Sequence, residues 1–131
     1  GWTRMNGQKT LKLNPNEKHG NNKLDYDFFK SSKPGMKYKS ILFRNSGNDF
    51  GYSMFRDALM NSIVAKRLDL EWIAYEPAVC FMNGTYYGIQ NLRERSDVDM
   101  IYSNYGYNED EIVMVESWEA TTNADYKVLS N

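Results

Sequence analysis

One cysteine, one histidine and three prolines in 131 residues exclude several classes of function before any motif is read. Cys80 cannot form an internal disulfide or build a zinc site, so cysteine usage leaves the compartment open, and in its apolar run it reads as a small core side chain. His19 lies in a polar loop, where no Ser/His/Asp or Cys/His catalytic set can be assembled around it. No apolar run approaches the ~20 residues needed to span a bilayer, so no membrane insertion is expected in this segment. The N-terminal "GWTRMNGQK" lacks the apolar stretch of a signal peptide, which an exported parent would carry outside this chain. An excess of either charge is also missing. Sixteen basic and seventeen acidic residues give a net charge of −1, which argues against nucleic acid or an anionic membrane as partner.

What is present suits one globular core: 41% hydrophobic and 15% aromatic residues in a length too short for two ordinary domains. The expected domain is 1–116, with 117–131 a polar, weakly periodic loop or disordered tail. Both ends look cut, because the chain enters a strand-like segment almost at once.

In "QKTLKLNPN", Leu11 and Leu13 alternate with Lys12 in the period of a half-buried strand. "NPNEKHGNNK" is turn chemistry, and Phe28 and Phe29 form an aromatic anchor before a Pro34-Gly35 turn. "KYKSILFRN" predicts a strand with Ile41 and Phe43 on one face and Leu42 and Arg44 on the other. Phe55, Leu59 and Ile63 at i, i+4, i+8 predict one long helix over Ser53 to Leu68, N-capped by Ser53. Arg56 in its first turn opposes the helix dipole and wants an acidic partner.

The strongest local signal is "YEPAVCFMNGTYYGIQNLRE", two strand-like runs joined by Asn83-Gly84, the dipeptide of a type I′ hairpin turn. A two-residue loop pairs Met82 with Thr85, Phe81 with Tyr86 and Val79 with Gly88. Gly88 itself implies a bulge or a close backbone approach. "SDVDMIYSNYG" predicts a short helix capped by Ser96 and stopped by Gly106, and a strand is expected from Ile112 to Val115 after the acidic turn "NEDE". The class is α+β with a mainly antiparallel sheet.

Asp49-Phe50-Gly51 matches the triplet that binds magnesium in eukaryotic protein kinases. No glycine-rich loop, strand lysine motif or HRD loop precedes it, so Asp49 reads as part of a turn between strand and helix, hydrogen-bonded to backbone amides. The wider pattern is more informative. "QKTLKL", "LFRNSGND" leading to "MFRDAL", and "FMNGTYYGIQNLRERSDVD" together resemble the CotH family, atypical secreted kinases named after a spore coat protein. The family pattern is a K-[ST]-hydrophobic strand, an N-x-x-x-D segment before a helix with an early arginine, and an NGxYxGxYxLxE hairpin. The resemblance covers roughly residues 8 to 106 and departs at Gln90, where the family usually has an aromatic residue.

The resemblance implies a fold like the N-lobe of a kinase, cradling ATP with Mg2+ or Mn2+ for transfer of phosphate to protein Ser or Thr. It implies an exported protein, periplasmic or at the cell surface. The family's catalytic and metal-binding aspartates would lie downstream of residue 131, so this segment alone is expected to be inactive. Lys9 matches the family's strand lysine and would face ATP phosphates. Glu94 matches the hairpin acid, to contact the nucleotide or to pair with Arg93 or Arg95. Arg44 is a looser candidate for the phosphates. Asp49 and Arg56 match the acid and the helix arginine and are candidates for a structural ion pair. No metal ligand is assigned within the chain. The rival readings are a non-catalytic adhesion or structural module that keeps the fold, and an aromatic-rich carbohydrate-binding domain.

Overall fold

The computed structural model describes residues 2–116 and 119–120 and divides into two compact units, with the boundary between Arg95 and Ser96. The first unit is built on four antiparallel strands: β1 (Leu11–Leu13), β2 (Ile41–Arg44), β3 (Tyr75–Met82) and β4 (Thr85–Glu94), in the order β1-β2-β4-β3. The expected mainly antiparallel α+β class is what the chain forms.

Register decides which side chains share a face. Ile41 lies opposite Glu94, Leu42 opposite Arg93, Phe43 opposite Leu92 and Arg44 opposite Asn91. Because strand side chains alternate, Ile41, Phe43, Leu92 and Glu94 project from one face and Leu42, Arg44, Asn91 and Arg93 from the other. The first face carries the core. Phe29, Tyr38, Ile41, Ala74 and Leu92 are buried there, flanked by Leu24, Phe28, Phe43 and Trp72. The excursion between β1 and β2 supplies its aromatic half: Leu24 and Tyr38 bridge through their backbones, and the Phe29 and Tyr38 rings meet edge to face at 5.4 Å.

The hairpin forms at Asn83-Gly84, both at positive φ as a type I′ turn requires. Met82 pairs with Thr85 and Phe81 with Tyr86, but the register then shifts: Cys80 faces Gly88 and Val79 faces Ile89. The expected pairing of Val79 with Gly88 is therefore displaced by one residue. Tyr87 is the extra residue of a bulge, and Gly88 supports it at φ +125°. The bulge also serves a close approach, since a Cβ on Gly88 would lie 2.9 Å from Gln8 Nε2. Pro77 sits in β3, an edge strand, where a missing N–H is tolerated.

The predicted long helix is shorter than its periodicity suggests. Helix α1 runs Arg56–Val64, nine residues. Met54 at φ 62° and Phe55 at φ −137°, ψ 9° hold the preceding residues out of helical geometry. Ala65 is extended in ψ and Lys66 has φ 60°, which stops the other end. Ser53 is thus not the N-cap. Nor does the apolar stripe become core: Phe55, Leu59 and Ile63 remain about half exposed, and the buried side chain of α1 is Ala58.

In the second unit, α2 spans Val98–Tyr105, capped by Asp97 and not by Ser96, with Asp97 Oδ1 accepting from Met100 N at 3.1 Å. Gly106 ends it in the left-handed region at φ 78°. Glu109–Glu111 forms a 3-10 turn where the acidic turn was expected. The last strand begins later than expected, with β5 (Val115–Glu116) antiparallel to β6 (Glu119–Ala120). Apart from these two residues, the segment read as a tail lies outside the described residues.

Replacing Gly88 by alanine places a Cβ against Gln8 and forces a left-handed backbone on an L-residue. The expected cost is about 1–3 kcal/mol, measured by chemical denaturation of the intact protein, whereas the same change at exposed Gly7, with open space around it, costs far less.

Candidate functional site

Three sequence segments that lie far apart meet at the end of β2. Asn45, directly after the strand, is buried. Its Nδ2 donates to Gln8 O at 2.7 Å, and its Oδ1 accepts from Thr10 Oγ1 at 2.9 Å and from Gly47 N at 3.2 Å. Because β2 stops at Arg44, the chain before β1 can reach β4 directly. Gln8 Nε2 donates to Ile89 O at 2.8 Å, Gln90 Nε2 to Lys9 O at 3.0 Å, and Lys9 N to the Tyr87 hydroxyl at 2.7 Å. The bulge that turns Tyr87 out of register brings its hydroxyl into this junction. Gln90, fully buried, holds the Lys9 carbonyl through its side-chain amide.

The loop from Ser46 to Phe55 is fastened to β4. Asn91 Nδ2 donates to Ser46 Oγ at 2.6 Å and to Met54 O at 2.9 Å, and Ser46 Oγ itself donates to Met54 O at 2.6 Å. Asp49 is almost fully buried in this loop and does the capping work that Ser53 was expected to do. Its Oδ2 accepts from Ser53 Oγ at 2.6 Å and from Arg56 N, the first amide of α1, at 3.1 Å. Its Oδ1 lies 3.2 Å from Arg56 Nη2. Arg56, awkward for the helix dipole, has this carboxylate as its partner.

On the same side of the sheet, Asp57 of α1 draws two strand arginines together. Its Oδ2 accepts from Arg44 Nη1 and, at 2.6 Å, from Arg93 Nη1. Arg93 is the buried member: its side chain is 4% exposed, against 40% for Arg44 and 45% for Asp57. Gly47, at φ +60°, leaves room for Arg44, whose Nη2 would lie 3.2 Å from a Cβ there. Arg44, Arg56 and Arg93 with Asp49 and Asp57 line one small cleft.

Glu94 points the other way, into the core face. Its carboxylate pairs with neither Arg93 nor Arg95 but with Lys33: Oε2 accepts from Lys33 Nζ at 2.7 Å and from Ala74 N at 2.8 Å. Lys33 also donates to Trp72 O at 3.1 Å, and its ammonium lies 4.4 Å from the centre of the Trp72 ring. Burial, followed by the charges of Glu94 and Asp27, pushes the Tyr38 phenol up. Lys9 does not lie within β1, which begins at Leu11. Its exposed ammonium donates to the carbonyls of Arg4 at 2.6 Å and Asn6 at 2.7 Å, and no carboxylate of the described residues cancels its charge.

The five candidate residues are therefore distributed over three places. Arg44, Asp49 and Arg56 share the cleft beside α1, Glu94 lies on the opposite face, and Lys9 lies before the edge strand. Sequence reasoning missed Asp57, Arg93 and Lys33. Alternation places Arg93 beside Arg44 once the β2–β4 pairing is known, but no local motif marks Lys33.

The Ser53 hydroxyl, then the Arg56 amide and guanidinium, hold the Asp49 carboxyl below its ordinary 3.8. A depressed folded-state pKa stabilises fully above the unfolded value and is lost as pH falls through the folded one, because the unfolded chain binds the proton first. Acid unfolding of the intact protein is thus expected to steepen below about pH 4, and Asp49→Asn removes that part of the pH dependence while lowering stability at neutral pH.

The model of the CotH kinase protein family matches residues 1–130. No curated protein and no solved structure gives a match. With the family's lysine-threonine, N-x-x-x-D and hairpin segments hydrogen-bonded to one another at the end of β2, the chain belongs to the CotH kinase protein family.

Proposed function

We propose that this chain is the nucleotide-binding part of a CotH-type atypical kinase, which transfers phosphate from ATP to Ser or Thr of a protein substrate. The observation that carries the reading is the meeting of the three motif segments at Asn45, next in the chain to Arg44, where the Lys9 backbone is held as well. Lys9 offers an ammonium charge that no carboxylate among the described residues neutralises, the form in which a lysine serves phosphates. Arg44 offers a guanidinium, suited to phosphate oxygens. Glu94 has a positioning role in this reading: the buried pair with Lys33 fixes the end of β4 against the segment around Ala74.

Mg2+ or Mn2+ would neutralise the nucleotide's phosphates. Among the described residues, no three His, Cys, Asp or Glu side chains come together as a metal site. It is the family resemblance that assigns the metal ligands and the catalytic aspartates to a downstream part of the protein, and this segment alone to an inactive state. An exported setting follows from the same resemblance.

The test is calorimetric titration of a non-hydrolysable ATP analogue with Mg2+ or Mn2+ into the full-length protein. Saturable binding that Lys9→Ala weakens about tenfold or more is the expected result. A folded wild-type protein that binds no nucleotide would overturn the reading in favour of a non-catalytic module.

A further inference from the structure

We infer that the cleft between β2, β4 and the start of α1 is a binding site for a phosphoryl group, held by Arg93, Arg44 and Arg56, and that Asp57 is its internal stand-in. This deepens the nucleotide reading by naming what Arg44 would hold and by adding Arg93, but the cleft's own chemistry carries it.

Donors outnumber acceptors in the cleft. One oxygen, Asp57 Oδ2, serves both Arg44 Nη1 and Arg93 Nη1. Arg93 Nε and Nη2 are buried and meet no acceptor among the described residues, although this side chain is 4% exposed. A guanidinium buried that deeply with two nitrogens unpaired is costly unless an acceptor arrives, since each unmade bond of a charged donor forfeits its desolvation. Three guanidinium groups face two carboxylates here, and Asp49 is already engaged by Ser53 and by the Arg56 amide. The local charge is positive, and guanidinium groups offer the forked donors that suit the oxygens of a phosphoryl group.

Asp57 is suited to give way. Its side chain is half exposed, and among the described residues its other oxygen receives only a long 3.4 Å contact from Asn61 Nδ2. A phosphoryl group would supply three acceptor oxygens where Asp57 Oδ2 supplies one. It would satisfy Arg93 and leave Asp57 free to turn to solvent. In the absence of a ligand, Asp57 keeps two like charges from facing each other.

Inorganic pyrophosphate is the probe, titrated into the full-length protein by calorimetry. The expected pattern is saturable binding that Arg44→Gln weakens about tenfold or more and that Asp57→Asn tightens several-fold, because the internal competitor has lost its charge. A purely structural Asp57 would lower stability without tightening binding, and that result overturns the inference. Since Arg44 and Asp57 both help hold α1, Arg56→Gln is the second variant: its guanidinium is largely exposed and outside the Asp57 clamp, and unchanged pyrophosphate affinity in it overturns the three-arginine site. Titration of the ATP analogue separates the two readings. If the analogue binds and depends on Lys9 while pyrophosphate ignores Arg44 and Asp57, the nucleotide reading stands and this one falls. If pyrophosphate follows the expected pattern and the analogue does not bind, the phosphoryl site stands and its carrier is not ATP.

Discussion

The carboxylate of Asp57, gripped by Arg44 and Arg93, is what ties α1 to the sheet. Apolar packing cannot be the main attachment: Ala58 is the buried side chain of the helix, while Phe55, Leu59 and Ile63 stay about half exposed. The remaining fastenings are polar as well. Asp49 caps the first amide, Asn91 holds the loop that leads in, and Asn61 Oδ1 accepts from Ile73 N at 3.0 Å. An ion pair with one buried and one half-exposed partner falls between surface and buried cases, worth roughly 1–3 kcal/mol. A helix held by charge and hydrogen bonds responds to ligands, salt and pH in a way that a helix held by packed methyl groups does not.

Strand β4 divides the labour between the two faces. Leu92 and Glu94 face the aromatic core, where the carboxylate meets Lys33 over the Trp72 ring, and Asn91 and Arg93 face the cleft. A slip of one residue would exchange these sets and bury a guanidinium among aromatic rings. The hairpin turn at Asn83-Gly84 and the bulge at Tyr87 help to pin the register. The family's spacing of tyrosine, glycine, leucine and acid along this hairpin thus records a division between faces as much as a set of contacts.

Much of this was legible locally. The Asn83-Gly84 turn, the alternation along Ile41 to Arg44 and the short helix before Gly106 depend on neighbours in sequence, and each formed. Asp49 was readable as a turn residue bonding to backbone amides. What escaped depends on distant partners or on local strain. The periodicity of Phe55, Leu59 and Ile63 was indistinguishable from a core stripe, and nothing in the sequence marks the positive φ of Met54 and Lys66 that shortens the helix. Glu94 had arginines as its sequence neighbours, yet alternation turned its side chain away from Arg93 toward Lys33, sixty-one residues earlier. Arg93 enters the sequence reading only as a possible partner of Glu94, because nothing marks it as a cleft residue until β2 is laid beside it.

The polar attachment of α1 is most directly tested by hydrogen–deuterium exchange of the full-length protein, wild type against Asp57→Asn. Loss of the clamp predicts that amides of Arg56–Val64 exchange about tenfold or more faster, while β2 and β4 keep their protection. Unchanged protection of the helix in a folded variant would contradict the account and show that the clamp does not hold it.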